Sequence, residues 1–139
     1  MNRRTTGIVL LSLLAAALAG CSSHQGPYPP KGAEAAAWAK TGQFQLMDPG
    51  ARKSVTTLGL QESRLDDGRL KVSCIVLNLE NRRIQVQAQC VFKDASGFST
   101  GDETPWENVI LTENSTETLT FTSLNPLASA YAVRIRQAR

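Results

Sequence analysis

Histidine is almost missing from this chain: His24 is the only one among 139 residues. A lone imidazole excludes a metal site built on several histidines and leaves a His-dependent triad without its base. Cysteine is scarce too, with three residues at positions 21, 74 and 90. Cys74 and Cys90 have no partner ligands close in sequence, so a thiolate metal site is not expected. An excess of one charge is also lacking, since 15 Lys and Arg face 12 Asp and Glu. Without Arg3 and Arg4 at the N-terminus the balance is 13 against 12, a net charge of +1. A near-neutral module gives no electrostatic case for binding nucleic acid. After residue 20 no apolar run approaches the ~20 residues that a membrane-spanning helix needs. Internal repeats and strand–helix–strand alternation are absent as well, which argues against solenoids and parallel α/β folds.

The N-terminus carries the clearest positive signal. Arg3 and Arg4 precede an apolar stretch of about 11 residues that closes on Leu18-Ala19-Gly20-Cys21. The stretch is too short to span a bilayer and has the layout of a secretory signal. Its ending resembles a bacterial lipobox, in which the cysteine is acylated and becomes the first residue of the mature protein. Cys21 is then the lipid attachment site, and two or three acyl chains anchor stably because each buried CH₂ contributes about 0.8 kcal/mol. Arg3-Arg4 followed by Thr5-Thr6-Gly7 lacks the wider pattern of a twin-arginine signal. Ser22 after the cysteine, where an Asp commonly retains lipoproteins at the inner membrane, favours the outer membrane with the domain facing the periplasm.

The expected organisation is a signal peptide over 1–20, a lipidated tether over 21–47 and a folded domain over 48–139. The tether opens with Ser-Ser-His-Gln-Gly-Pro-Tyr-Pro-Pro-Lys-Gly and has no apolar period. The alanine-rich stretch 33–40 predicts two helical turns, marginal in water unless Trp38 pins them to the domain. Asp48-Pro49-Gly50 is turn chemistry.

From about residue 54, strand and turn signals repeat. Strands are expected at 55–62, 69–78, 83–93, 98–100, 106–111, 116–123 and 131–136. Turns fall at Asp66-Asp67-Gly68, near Asn81, at Asp94-Ala95-Ser96-Gly97, at Glu113-Asn114-Ser115 and at Asn125-Pro126. The clearest alternation is in 83–93, where Ile84, Val86, Ala88, Cys90 and Phe92 point one way and Gln85, Gln87 and Gln89 the other. About seven short strands at this spacing predict an all-β, antiparallel, immunoglobulin-like β-sandwich, with an open barrel as the structural rival. If 69–78 and 83–93 form a hairpin centred on Arg82, Cys74 lies opposite Cys90, within disulfide reach. In an oxidising envelope compartment that register predicts a Cys74–Cys90 disulfide; two buried free thiols are the alternative.

Catalytic motifs are thin. Gly97-Phe98-Ser99-Thr100-Gly101 matches G-x-S-x-G, but no helix follows it and no histidine lies downstream. A polar turn accounts for it better than a hydrolase using Ser99. Asp66-Asp67 is a hairpin turn, Asp102-Glu103 a solvated loop, and Asn114-Ser115-Thr116 a glycosylation pattern without relevance in a bacterial lipoprotein. Two features suit binding. Trp106, at a loop–strand junction, is either core or a partner anchor. Arg134 and Arg136 share the polar face of the last strand, with Arg139 beyond, and form either a carboxylate- or phosphate-binding row or a solvated face.

The segments around these residues also occur in a recognisable order. Asn78-Leu79-Glu80-Asn81 leads into Val86, Ala88 and Cys90, and Phe92-Lys93-Asp94-Ala95-Ser96-Gly97 follows. Trp106 comes next, then a stretch ending Asn125-Pro126-Leu127-Ala128-Ser129-Ala130-Tyr131-Ala132-Val133-Arg134-Ile135-Arg136. Over roughly 50–138 the chain resembles the small bacterial lipoproteins of the YcfL type, an uncharacterised domain family with an immunoglobulin-like sandwich. The resemblance implies that fold and supplies no catalytic residues and no cofactor. Where the family often carries Tyr and Trp before its Asp-x-x-Gly turn, this chain has Gln89, Cys90 and Lys93.

The functional expectation is a non-enzymatic, outer-membrane-anchored periplasmic lipoprotein that binds an envelope protein or cell-wall-associated machinery. Polar sheet rows or a free strand edge are its suitable surfaces. The alternative is a structural or oligomerising subunit of an envelope or secretion assembly.

Overall fold

A computed structural model describes residues 27, 28, 30–32, 37 and 41–138. The expected signal peptide, Cys21, His24, Trp38 and Arg139 lie outside the described residues. The elements are β1 (Phe44–Leu46), α1 (Pro49–Ser54), β2 (Val55–Arg64), β3 (Leu70–Asn78), β4 (Ile84–Lys93), β5 (Glu107–Leu111), β6 (Thr116–Thr122) and β7 (Ala130–Gln137). They form two sheets, ordered β1-β7-β4-β5 and β2-β3-β6. All pairings are antiparallel except β1 with β7. The architecture is the all-β, immunoglobulin-like sandwich that the alternating pattern predicts.

Alternation explains the layering. In β3, Leu70, Val72, Cys74 and Val76 are buried while Lys71, Ser73, Ile75 and Leu77 are partly or fully exposed. In β4, Ile84, Val86, Ala88, Cys90 and Phe92 are buried in the same rhythm. The inward rows meet across the sandwich, and each fully buried aliphatic or phenyl side chain contributes roughly 1.5–3 kcal/mol. In β2 the register shifts at Thr57/Gly59. There Thr57 Oγ1 donates to Ile75 O at 2.9 Å and Leu58 is pushed outward, 51% exposed. A bulge of this kind twists a long edge strand away from flat pairing.

The expected 69–78/83–93 hairpin is not formed. β3 and β4 lie in opposite sheets, so the chain crosses the sandwich at 79–83. The inward assignment of both rows holds, but alternation sets which face a residue takes, not which strand is its neighbour. With the hairpin goes the disulfide: Cys74 and Cys90 are free, fully buried thiols on facing sheets.

Two further corrections concern the edges. Residues 98–100 do not form a strand; Ser99 makes only an isolated bridge to Lys93. The seventh strand is instead β1, inside the expected tether, with Phe44 and Leu46 fully buried. Tyr28 also reaches the core, bridging antiparallel to Leu46. The folded body therefore begins before residue 48. Asp48-Pro49-Gly50, expected as a turn, starts α1: Asp48 caps it, its Oδ1 accepting from Ala51 N at 2.8 Å, and Pro49 occupies the first turn.

The connections collect at two ends. At one end lie α1 and the turns 79–83 and 112–115. Asn78 clasps the two turns: its amide donates to Arg82 O at 2.8 Å and Thr112 O at 2.7 Å, and its Oδ1 accepts from Glu80 N at 2.9 Å. At the other end lie the loops 65–69, 94–106 and 123–129. Arg64 donates to Ala128 O at 2.9 Å, Ser129 N donates to Lys93 O at 2.8 Å, and Gly68 packs on Pro126. Gly68 and Gly97 sit at φ +84° and +86°, the left-handed conformation their turns require.

Candidate functional site: the outer face of the four-stranded sheet

The outer face of β7, β4 and β5 carries three of the residues singled out above. Arg134 and Arg136 alternate outward from β7, and Trp106 lies just ahead of β5. β4 stands between β7 and β5, so its outward glutamines bridge them. Gln89 is registered with Arg134, Gln87 with both Arg136 and Asn108, and Gln85 with Ile110. The parallel strand β1 adds Gln45 opposite Arg134.

These rows are knit by side-chain bonds. Arg136 Nε donates to Gln87 Oε1 at 2.8 Å, and Gln87 Nε2 donates to Asn108 Oδ1 at 3.1 Å. Arg134 Nε donates to Gln45 Oε1 at 3.3 Å, and Gln89 Nε2 to Thr104 O at 3.0 Å. The Arg136 guanidinium lies over the half-buried Trp106 ring, 4.0 Å from its centroid. Trp106 is thus a sheet-surface residue clamped by a cation. The described residues contain two ion pairs, Arg69–Asp67 and Arg82–Glu80, so neither Arg134 nor Arg136 is neutralised by a carboxylate. Each has its Nε occupied by an amide, which fixes the plane of the guanidinium while its charge remains available. The face suits an acidic partner segment lying across the strands.

The stacked pair can be tested by itself. A double-mutant cycle on Trp106→Ala and Arg136→Ala, read by thermal unfolding, is expected to give a coupling of about 0.5–1 kcal/mol. Strictly additive effects would remove the contact from consideration.

The other singled-out residues are elsewhere. Ser99 Oγ accepts from Gly101 N at 3.2 Å within the 94–101 loop, a turn role. Asp67 accepts from Arg69 N and Nε, which hold its carboxyl below the usual range. Asp102, expected in a solvated loop, is instead buried. Its Oδ2 accepts from Leu124 N at 2.7 Å and its Oδ1 from Thr100 Oγ1, tying the 94–106 and 123–129 loops together. Those loops present Phe98, Leu124 and Leu127, 72%, 76% and 66% exposed. No group of three or more His, Cys, Asp or Glu that could hold a metal occurs among the described residues. No helix among them is long and apolar enough to cross a membrane.

Sequence reasoning found Arg134, Arg136 and Trp106 but missed Gln45, Gln87 and Asn108 as their partners. Glutamines in alternation show which face they take but not which strands lie beside them, and β1 is too short to announce itself by periodicity.

Fold and face define a small β-sandwich domain with a cationic, amide-laced sheet surface. Its match over residues 44–137 makes the chain a member of the family described as "Protein of unknown function (DUF1425)". The Campylobacter jejuni protein cj0090, known from its crystal structure, is similar at a TM-score of 0.59 with 15% identity, over 70% of this chain and 99% of that one. A DUF1425 family member from Shewanella sp. pv-4 is similar at a TM-score of 0.56 with 19% identity, over 61% of this chain and 79% of that one. At such identities the likeness is one of fold. No curated protein matches the chain.

Proposed function

We propose that this protein is a non-catalytic binding module of the bacterial envelope, a lipoprotein of the YcfL type. In this reading Cys21 is acylated and holds the domain on the periplasmic face of the outer membrane. The partner is an envelope protein or part of the cell-wall-associated machinery, and no cofactor or nucleic acid is involved. The observation that carries the reading is the ordered sheet face, where Arg134 and Arg136 stand without carboxylates beside a clamped tryptophan. A surface whose side chains are already held by neighbours loses less entropy when a partner covers it.

Photocrosslinking in cells tests this. Crosslinkers at Trp106 and Arg134 are expected to capture one distinct envelope protein, whereas one at Thr118 on the opposite sheet captures none. Equal capture from both sheets, or none from either, would defeat the assignment.

One observation favours the oligomeric alternative. β6 is an uncovered edge of seven residues, Thr-Glu-Thr-Leu-Thr-Phe-Thr, with no Lys and no Pro. Such an edge accepts an added strand. Adducts between copies of the chain at Thr118, with none at Trp106, select that alternative.

A further inference from the structure

The position of Tyr28 sets an upper limit on how far the domain can stand from an anchor on Cys21. Tyr28 is 7% exposed and exchanges backbone hydrogen bonds with Leu46 at 2.7 and 3.4 Å. Arg52 of α1 lies over its ring, 5.3 Å from the centroid. The bridge is antiparallel, and β1 runs toward α1, so the chain preceding Tyr28 departs on the α1 side. Tyr28 is the seventh residue after Cys21, a reach of at most ~25 Å even when fully extended. An acyl group on Cys21 therefore holds the α1 end nearer the bilayer than the loop end.

That end carries a pocket of about 280 Å³, lined among others by Gly50, Ser54, Arg82, Arg83, Gln85 and Gln137. Two adjacent arginines share it, and Lys53 is close by on α1. The carboxylates nearest to them are already engaged. Asp48 accepts from Ala51 N and from Gln137 N, both at 2.8 Å. Glu80 accepts from Ser54 Oγ at 2.8 Å and, at 3.5 Å, from Arg82 Nε. Glu113, in the 112–115 turn, is exposed at the same end. Arg83 makes no ion pair among the described residues. Planar guanidinium groups bind phosphate oxygens in pairs, and the uncharged Gln85 and Gln137 complete the lining. The volume suits a phosphate with a short polar substituent rather than a whole metabolite.

We infer that the α1 end faces the membrane and that this pocket takes the phosphodiester of an anionic phospholipid headgroup. The inference rests on the anchor proposed above. Basic side chains at an anionic surface are worth about 1 kcal/mol each, or fivefold in binding, provided they come within a Debye length. The short tether supplies that proximity.

The experiment uses the full chain in cells, with a photocrosslinker at Gln85 in the pocket or at Leu127 on the far loops. Phospholipid adducts, identified by mass, are expected at Gln85 and not at Leu127, with phosphatidylglycerol enriched over phosphatidylethanolamine. Arg82→Gln with Arg83→Gln is expected to cut the adduct yield about 25-fold, at fivefold per arginine. Lys71→Gln with Lys93→Gln, toward the loop end, is expected to leave it unchanged. Equal adducts at both positions, loss of the phosphatidylglycerol preference, or an undiminished yield in the Arg82/Arg83 variant overturns the inference. The mass of the mature N-terminus separates the two claims. An acylated Cys21 without adducts at Gln85 sinks the pocket alone, whereas an unacylated Cys21 sinks the anchor and the inference with it. The detergent-solubilised protein titrated with inorganic phosphate completes the test: arginine-dependent binding of free phosphate, without lipid adducts in cells, assigns the pocket to a soluble anion and overturns the headgroup.

Discussion

Alkali is expected to unfold this domain at a pH near 11, where an ordinary sandwich without buried thiols persists. Burial pushes the Cys74 thiol up to about 12, with the Thr57 hydroxyl only partly opposing it. Burial, then the neighbouring Cys74 and Asp102, pushes Cys90 up to about 12 as well. In the unfolded chain both titrate near their ordinary value of 9.0. Below that value both states hold their protons and the thiols add no pH dependence. Between about 9 and 12 the unfolded state has lost protons that the native state keeps, so stability falls as pH rises. The slope is about 1.4 kcal/mol per pH unit for each thiol, which amounts to roughly 5 kcal/mol for the pair at pH 11. That is as large as the whole stability of many domains. Tyr131, also pushed up to about 12 by burial with Glu62 adding to it, steepens the loss. Denaturant melts across this window measure the slope, and Cys74→Ala with Cys90→Ala should flatten most of it. A bridged pair carries no titratable protons, so a flat profile in the wild-type chain would show that the thiols are not free.

Asn78→Leu is expected to cost about 3–4 kcal/mol, among the largest effects of any single polar replacement in the domain. Asn78 is 1% exposed, and its carboxamide makes three short hydrogen bonds to main-chain groups of both turns at the α1 end. A longer one, at 3.4 Å, reaches Leu111 O. Replacement by leucine removes bonds worth about 1 kcal/mol each and leaves Thr112 O and Arg82 O, in two turns that are otherwise exposed, without this donor. Chemical denaturation measures the loss. Asn78→Asp is a useful companion, because it retains the acceptor to Glu80 N but offers no donor to the two carbonyls. An effect below about 1 kcal/mol for Asn78→Leu would mean that the turns hold each other without the clasp. The clasp also positions Arg82 and Arg83, so lipid adducts at Gln85 should fall in the same variant.

The site was only partly legible before folding. Arg134 and Arg136 could be placed on one face because a strand turns every second side chain the same way. Their partners could not. Trp106 meets Arg136 only because β4 pairs with β5 on one side and β7 on the other, bringing together residues thirty positions apart in the chain. Asp102 reads as a loop acid, and its burial depends on the 123–129 loop folding back over it. β1 is too short for a period to show, and its inclusion in the sheet depends on the buried Phe44 and Leu46.

Local chemistry alone determined the strands from β2 to β7, most of their turns and the inward rows of β3 and β4, because side-chain alternation and turn residues act over a few neighbours. Tertiary structure decided which strands are neighbours, and so turned the Cys74–Cys90 pair from a cross-strand bridge into two thiols on facing sheets. Both arrangements bury the same side chains, and the choice between them lies in contacts made across the sandwich by residues far apart in the chain.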